Sequence, residues 1–215
     1  MQRLTTLAFL TALMGCAPRS NASETTGTTD AAASAASAPM TEVPDGHETA
    51  LVAGGCFWCI EADLEKVDGV HEVISGYAGG ERANPTYQQV SSHQTQHLEV
   101  VQVIYNPKKI PTSDVLAWFW ELHDPTSKDQ QGADKGPQYR SAVFYHSEEQ
   151  KNLTEASMKE AQKLFKKPIV TVIRKAEKFW VAEDYHQDFY FLNKRRNGYC
   201  RFVIQPKLLK LKLKD

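Results

Sequence analysis

The densest concentration of reactive residue types in the chain is Gly54-Gly55-Cys56-Phe57-Trp58-Cys59. Thr49 to Ala53 reads as a short apolar strand, the two glycines as a turn, and Cys56 as the start of a helix running to Val67, with Glu61 and Glu65 facing outward. A helix start leaves N–H groups unpaired and presents the positive end of the dipole, so this placement favours thiolate and predicts a lowered Cys56 pKa. Cys59, three residues on, shares the same helical face and lies within reach of a disulfide. Spacing alone leaves thiol redox chemistry, half of a zinc site and a structural disulfide all open. A thioredoxin-like exchanger would use the same strand, Cys-x-x-Cys and helix order. A zinc module could complete its ligand set with Cys200 and a histidine.

The elements that must hold this turn alternate between strand and helix. After the first helix, Val70 to Tyr77 alternates as a strand, 78–96 is a Gly-rich polar loop, and Glu99 to Tyr105 is a second alternating strand. Thr112 or Ser113 caps a helix with Val115, Leu116, Phe119 and Leu122 on one face, which stops before Asp124-Pro125. A long loop, 124–139, leads to a strand over Ser141 to Tyr145. Helices are expected at Ser147 to Lys166 and Asp184 to Arg195, with a strand at Ile169 to Arg174 between them. The β-α-β-β-α-β order is that of the ferredoxin-like split βαβ unit, which predicts an α+β two-layer sandwich with a mixed sheet. Arg196-Asn197-Gly198-Tyr199 reads as a turn that could swing Cys200. The lysine-alternating end, 207–214, reads as a solvated tail or protected edge strand.

Composition narrows the partners. The 215 residues carry 25 Lys and Arg against 26 Asp and Glu, a formal charge of −1, so nothing general attracts nucleic acid or an anionic membrane surface. Of the four cysteines, Cys16 follows a basic start and an apolar run, Leu4 to Met14, that is too short to span a bilayer but suits an export signal. Leu13-Met14-Gly15-Cys16 resembles a bacterial lipoprotein signal, in which that cysteine becomes the lipidated N-terminus of the mature protein. Residues 1–15 are then the signal peptide, and 16–46 a lipidated tether. Ala, Ser and Thr make up 17 of the 25 residues from Ala17 to Thr41, too little apolar surface to offset the entropy of ordering. The domain proper is 47–215. The expected location is extracytoplasmic, lipid-anchored to a bacterial membrane. Ala17 gives no acidic retention signal, which favours an outer membrane where one exists.

The domain itself resembles the peptide methionine sulfoxide reductases of the A type. The likeness begins at Gly54-Gly55-Cys56-Phe57-Trp58-Cys59-Ile60-Glu61 and continues through Ser75-Gly76-Tyr77-Ala78-Gly79-Gly80, Asn84-Pro85-Thr86-Tyr87 and His97-Leu98-Glu99. It extends through Phe119-Trp120-Glu121-Leu122-His123-Asp124-Pro125 and the stretch from Gln130 to Ser141, in order and with compatible gaps. The resemblance implies reduction of methionine sulfoxide, free or in proteins, with the S epimer at sulfur as substrate and no organic cofactor.

Such a reaction needs a sulfur nucleophile, a proton for the departing oxygen and a dry slot for the S-methyl group. Cys56 is the nucleophile, and Phe57 and Trp58 beside it are the apolar walls, as the resemblance implies. A carboxylic acid among apolar neighbours stays protonated near neutral pH, and Glu99, opening a Val- and Ile-rich strand, is the candidate acid. The resemblance also assigns Tyr87 and Tyr139 to the sulfoxide oxygen and Asp134 to an auxiliary role. His97, His123 and His186 are read as structural or supporting, with no metal held. The sulfenic acid left on Cys56 condenses with a second thiol. Much of the family has Gly where Cys59 stands and uses C-terminal cysteines, so either Cys59 or Cys200 can resolve; reach favours Cys59 first. A thioredoxin-like dithiol protein is the expected reductant, and the domain is expected to be a monomer.

Overall fold

The computed structural model describes residues 42–212. The expected signal peptide, Cys16 and all but the last residues of the tether lie outside the described residues.

Among the described residues, the strands in chain order are β1 (Glu48–Ala53), β2 (Val70–Ala78), β3 (Leu98–Tyr105), β4 (Gln130–Gln131), β5 (Asp134–Lys135), β6 (Ala142–Tyr145), β7 (Val172–Lys175) and β8 (Phe179–Val181). β4 and β5 make a separate small ladder. The other six form one mixed sheet in the spatial order β7-β6-β1-β3-β2-β8. Its central four strands, β6-β1-β3-β2, pair antiparallel throughout and reproduce the expected split βαβ arrangement. β7 joins the edge in parallel with β6, and β8 pairs antiparallel with β2. β8 had no sequence expectation, because three residues are too few to show a period.

Alternation along the strands divides the apolar residues between two faces. Val52, Val101, Val103, Val143 and Tyr77 face the helices, while Leu51, Ala53, Val100, Ala142 and Phe144 build a smaller core on the other side. The first four helices are α1 (Phe57–Leu64), the short α2 (Tyr87–Ser91), α3 (Thr112–Glu121) and α4 (Glu148–Gln162). On α3, Val115, Leu116, Phe119 and Trp120 are buried as their spacing predicts. Only residues 176–178 join β7 to β8 at the opposite edge of the sheet. That link spans at most about 14 Å, against roughly 24 Å for five flat strand spacings, so the sheet must curl. Arg174 Nη1 donating to the Gly79 carbonyl oxygen at 3.2 Å ties the two ends of the curl.

Gly76 lies where β8 crosses close to β2. A Cβ there would overlap both the Phe179 ring and the Trp180 carbonyl oxygen. Because one of the obstacles is backbone, Gly76→Ala should detach β8 and destabilise the domain by about 1–3 kcal/mol, the usual cost of overpacking. An unchanged denaturant midpoint would show that the edge can yield.

Several expectations need correction. The stretch 78–96 is not all loop, since it contains α2, started by a Thr86 and Gln89 capping box. The stretch expected to be helical from Asp184 is a single 3-10 turn, Asp184–His186, followed by α5 (Phe189–Asn193). Asp188 between them has φ +52°, which breaks the run. Glu61 is buried rather than outward: its Oε1 accepts from Ser75 Oγ at 2.9 Å and its Oε2 from Phe189 N at 3.3 Å, because α5 packs over that face of α1. The C-terminal segment is neither turn nor strand. Cys200–Ile204 forms a π-helical turn that runs on into α6 (Gln205–Lys210), and Cys200, Ile204 and Leu208 are fully buried. Apolar residues at 200, 204 and 208 follow a helical period that the lysine alternation obscured.

Candidate active site

β1 delivers the chain to Gly54, Gly55 takes φ +102°, and Cys56 becomes the N-cap of α1. A side chain at Gly55 would also meet Gln131 at 2.8 Å, so the turn needs glycine for both reasons. The Cys59 N–H donates to the Cys56 carbonyl oxygen at 3.0 Å, which stacks the two cysteines on one turn. Both are buried and free, as is Cys200.

Glu99 enters from β3, paired opposite Tyr77 on β2. Its carboxyl is 1% exposed, and Oε2 accepts from the Phe57 N–H at 3.1 Å. Burial pushes its pKa up to about 8, against the weaker pull of that hydrogen bond, so the group is protonated at neutral pH. Tyr87, at the start of α2, and Tyr139, at the end of the 3-10 turn Pro137–Tyr139, both lie within the electrostatic field of Cys56 and Glu99. Burial drives both phenols well above their ordinary range, so they act as neutral donors.

The thiols do not follow the helix-start expectation. Burial pushes Cys56 up, and so do its hydrogen bond with Cys59 and the nearby Glu99 carboxyl. Cys59 moves the other way, lowered first by that hydrogen bond and then by the Lys207 ammonium. In the resting pair, therefore, Cys56 holds the proton and Cys59 is the better anion. The N-terminal field of an eight-residue helix is too weak to reverse a burial cost of this kind.

Phe57 is buried among Trp58, Tyr77, Tyr87 and His186, with ring centroids 5.0–6.3 Å away. Trp58 stacks on Phe189 at 3.7 Å, and its indole N–H donates to His186 Nδ1 at 3.0 Å. Burial lowers the His186 pKa to about 4, so the imidazole is neutral and can accept this bond. Glu183 holds the surround together, accepting from Tyr77 Oη at 2.8 Å and from Tyr87 N at 2.9 Å. Apolar rings, two phenols, a protonated acid and a thiol thus converge on one spot.

Asp134 sits farther round. Its Oδ2 accepts from Tyr199 Oη at 2.6 Å, and the same hydroxyl lies 3.4 Å from Cys59 Sγ. His97 and His123 are structural: His97 bridges Gly80 N and the Arg82 carbonyl, and His123 bridges the Phe119 carbonyl and Ser141 Oγ. Sequence reasoning did not single out Tyr199, Glu183, Phe189 or Lys207 as site residues. Tyr199 adjoins Cys200, which was a usable signal, whereas the others arrive only through the packing of the C-terminal segment. Behind the two thiols a cavity of about 570 Å³ opens, lined by Cys56, Cys59, Trp120, Asp134, Val203 and Lys207 among others.

Residues 48–215 match the family model described as peptide methionine sulfoxide reductase. The chain is 48% identical over 168 residues to peptide methionine sulfoxide reductase MsrA 1 of Rhodopirellula baltica, covering 77% of this chain and 85% of that protein. It is 51% identical over 164 residues to the MsrA of Thermus thermophilus, covering 76% and 93%. Among solved structures it resembles reduced Mxr1 of Saccharomyces cerevisiae, with a TM-score of 0.69 and 34% identity over 73% of this chain and 91% of that one. Mxr1 has also been solved in complex with Trx2, at a TM-score of 0.52, 26% identity and coverage of 73% and 94%.

Proposed function

The chain belongs to the peptide methionine sulfoxide reductase family, in its A-type branch, and from that premise we propose how its residues divide the reaction. It is an oxidoreductase whose activity is thiol-dependent reduction of methionine sulfoxide. The finer reading is this: the S epimer at sulfur, in proteins or free, seats its methyl group against Phe57 and Trp58 with its oxygen toward Glu99, Tyr87 and Tyr139. The Cys56 sulfur attacks the substrate sulfur as Glu99 gives its proton to the oxygen, and the proton shed by the Cys56 thiol restores the Glu99 carboxyl. The oxygen then passes to Cys56, leaving sulfenic acid and methionine. The observation that carries this is the buried Glu99, protonated near neutral pH and held by the Phe57 N–H in the turn that bears Cys56. A pure disulfide exchanger has no use for it. The test is turnover of separated sulfoxide epimers by the purified chain with dithiothreitol; equal rates for the R and S epimers would sink the assignment.

Recycling follows from reach. The Cys59 thiolate displaces hydroxide from the sulfenic sulfur with uptake of one proton, giving a Cys56–Cys59 disulfide and water. Cys200 is buried at the first position of the π-helical turn and must be released before it can react. Cys59→Ser should therefore still reduce about one equivalent of sulfoxide and then stall with thioredoxin, while Cys200→Ser keeps cycling. Mass mapping that found only Cys56–Cys200 after one turnover would promote Cys200 to first resolver. A thioredoxin-like dithiol as reductant is supported by the Mxr1–Trx2 complex.

The place of work is the last part of the proposal. The run from Leu4 to Met14 before Gly15-Cys16 supports export, lipidation of Cys16 and repair of oxidised proteins outside the cytoplasm by a tethered monomer. Cys16→Ser should move the protein from the membrane to the soluble fraction.

A further inference from the structure

Asp63 stands one turn along α1 from Cys59 and is completely buried. A buried carboxylate needs several hydrogen bonds or a cation. Neither oxygen takes a hydrogen bond of good geometry among the described residues. Its partner is an ion pair: Lys207 Nζ lies 2.5 Å from Asp63 Oδ2. The lysine comes from α6, more than a hundred residues away in sequence, and lines the cavity behind Cys56 and Cys59. Nothing in the sulfoxide reaction as described uses either residue.

We propose that Lys207, anchored by Asp63, is a positioning residue for recycling, holding a positive charge against Cys59 so that this thiol is anionic when it closes the disulfide on Cys56. This rests on the reading of Cys59 as the resolving thiol. The step it assists is Cys56–S–OH plus Cys59–S⁻ plus H⁺ giving Cys56–S–S–Cys59 plus water, with no other oxidant or reductant needed. Around Cys59 the hydrogen bonds from Cys56 and Tyr199 also favour an anion, but the positive charge among the groups that act on it is Lys207. Asp63 opposes the charge more weakly than Lys207 favours it, and the Glu99 carboxyl and Cys200 thiol are disfavoured beside it. His123 is kept neutral by burial, with its pKa lowered to about 4. Tyr199 Oη, 3.4 Å from Cys59 Sγ, favours the anion less than Lys207 does. Lys207 is thus the cation that the fold brings to this thiol.

The anchor matters because a lone lysine at a cavity mouth would turn to water. Asp63 fixes the ammonium, and the ion pair in turn docks α6, with Leu208 buried beside it, onto α1. Charge and geometry are delivered by one contact.

The test reads Cys59 itself. In a Cys56→Ser background of the full chain, the alkylation rate of Cys59 by iodoacetamide is followed against pH, peptide by peptide. Lys207→Met should shift the midpoint upward by about one unit, a tenfold smaller thiolate fraction below it. Greater nucleophilicity of the more basic thiolate offsets part of this, so disulfide closure at neutral pH in the otherwise parental chain should slow about threefold. Lys207→Arg should restore the midpoint, and Lys210→Met, which removes a neighbouring charge from the same cavity wall, should leave it unmoved. Loss of the lysine strands a buried carboxylate, so Asp63→Asn combined with Lys207→Met provides a folded control and should move the midpoint in the same direction by less. A midpoint within about 0.3 unit of the parent in both variants would overturn the proposal while leaving Cys59 as resolver. Mass mapping of the parental disulfide separates the other failure: only Cys56–Cys200 would remove the resolving role of Cys59, and the role of Lys207 with it.

Discussion

Cys56→Ser should leave less than about one per cent of the sulfoxide reductase activity, in line with the hundredfold or greater losses that follow removal of a nucleophile, with the domain still folded. The attack needs a sulfur that can both bond to the substrate sulfur and carry away its oxygen, and a serine hydroxyl cannot replace it. Cys59 is the hydrogen-bond partner of Cys56, but the Cys59 thiol is engaged with Tyr199 Oη at 3.4 Å. Serine is nearly isosteric, and its hydroxyl can keep a hydrogen bond to Cys59. The unfolding free energy should therefore change by no more than about 1 kcal/mol, as for other small polar exchanges without cavity or strain. Residual turnover well above one per cent with an intact fold would mean that another thiol performs the attack. Prompt loss of structure would mean that the cysteine pair has a stabilising role beyond chemistry.

How much of this could be read from the sequence depends on the range of the contacts involved. Cys56, Phe57, Trp58 and Cys59 lie in one strand-turn-helix unit whose period and glycines are local signals, and two of the four central strands, β2 and β3, show alternation within the strand. Glu99 was legible as an anomaly, an acid at the head of an apolar strand, although only the fold shows that its carboxyl is held by the Phe57 N–H. The C-terminal segment was not legible in the same way. Residues 184–212 are short turns and a π-helical segment whose order comes from docking on α1, through Glu61 to Phe189 N, Trp58 to His186 and Asp63 to Lys207. Each of these contacts spans more than a hundred residues, and no window of local periodicity contains both partners. The misreading of Cys56 has the same origin. A helix start is visible in sequence, whereas the burial and the neighbouring Glu99 that raise its pKa come from the folded core.

Glu99→Gln should slow the single-turnover reduction by about 10²- to 10⁴-fold, the usual contribution of a general acid. It should also change the shape of the pH profile. Burial holds the carboxyl at about 8, above its ordinary 4.5, so the acid form that the reaction needs is present through neutrality and is lost as pH rises through about 8. In the parent the rate should therefore fall about tenfold per unit only once Cys56 is ionised as well. Cys56 opposes this trend, since its thiol is pushed up and its thiolate gains population as pH rises. The two groups interact, so the apparent values of the resulting bell belong to the pair. Glutamine keeps the volume and can still accept the Phe57 N–H through its amide oxygen, but it has no acidic proton to transfer. With it the alkaline limb should vanish, leaving a slow rate that only climbs with thiol ionisation. A glutamine variant that kept both the parental rate and the alkaline fall would take the acid role from Glu99 and assign the limb to another titrating group, because both phenols are held neutral far beyond pH 8 and water does not titrate there.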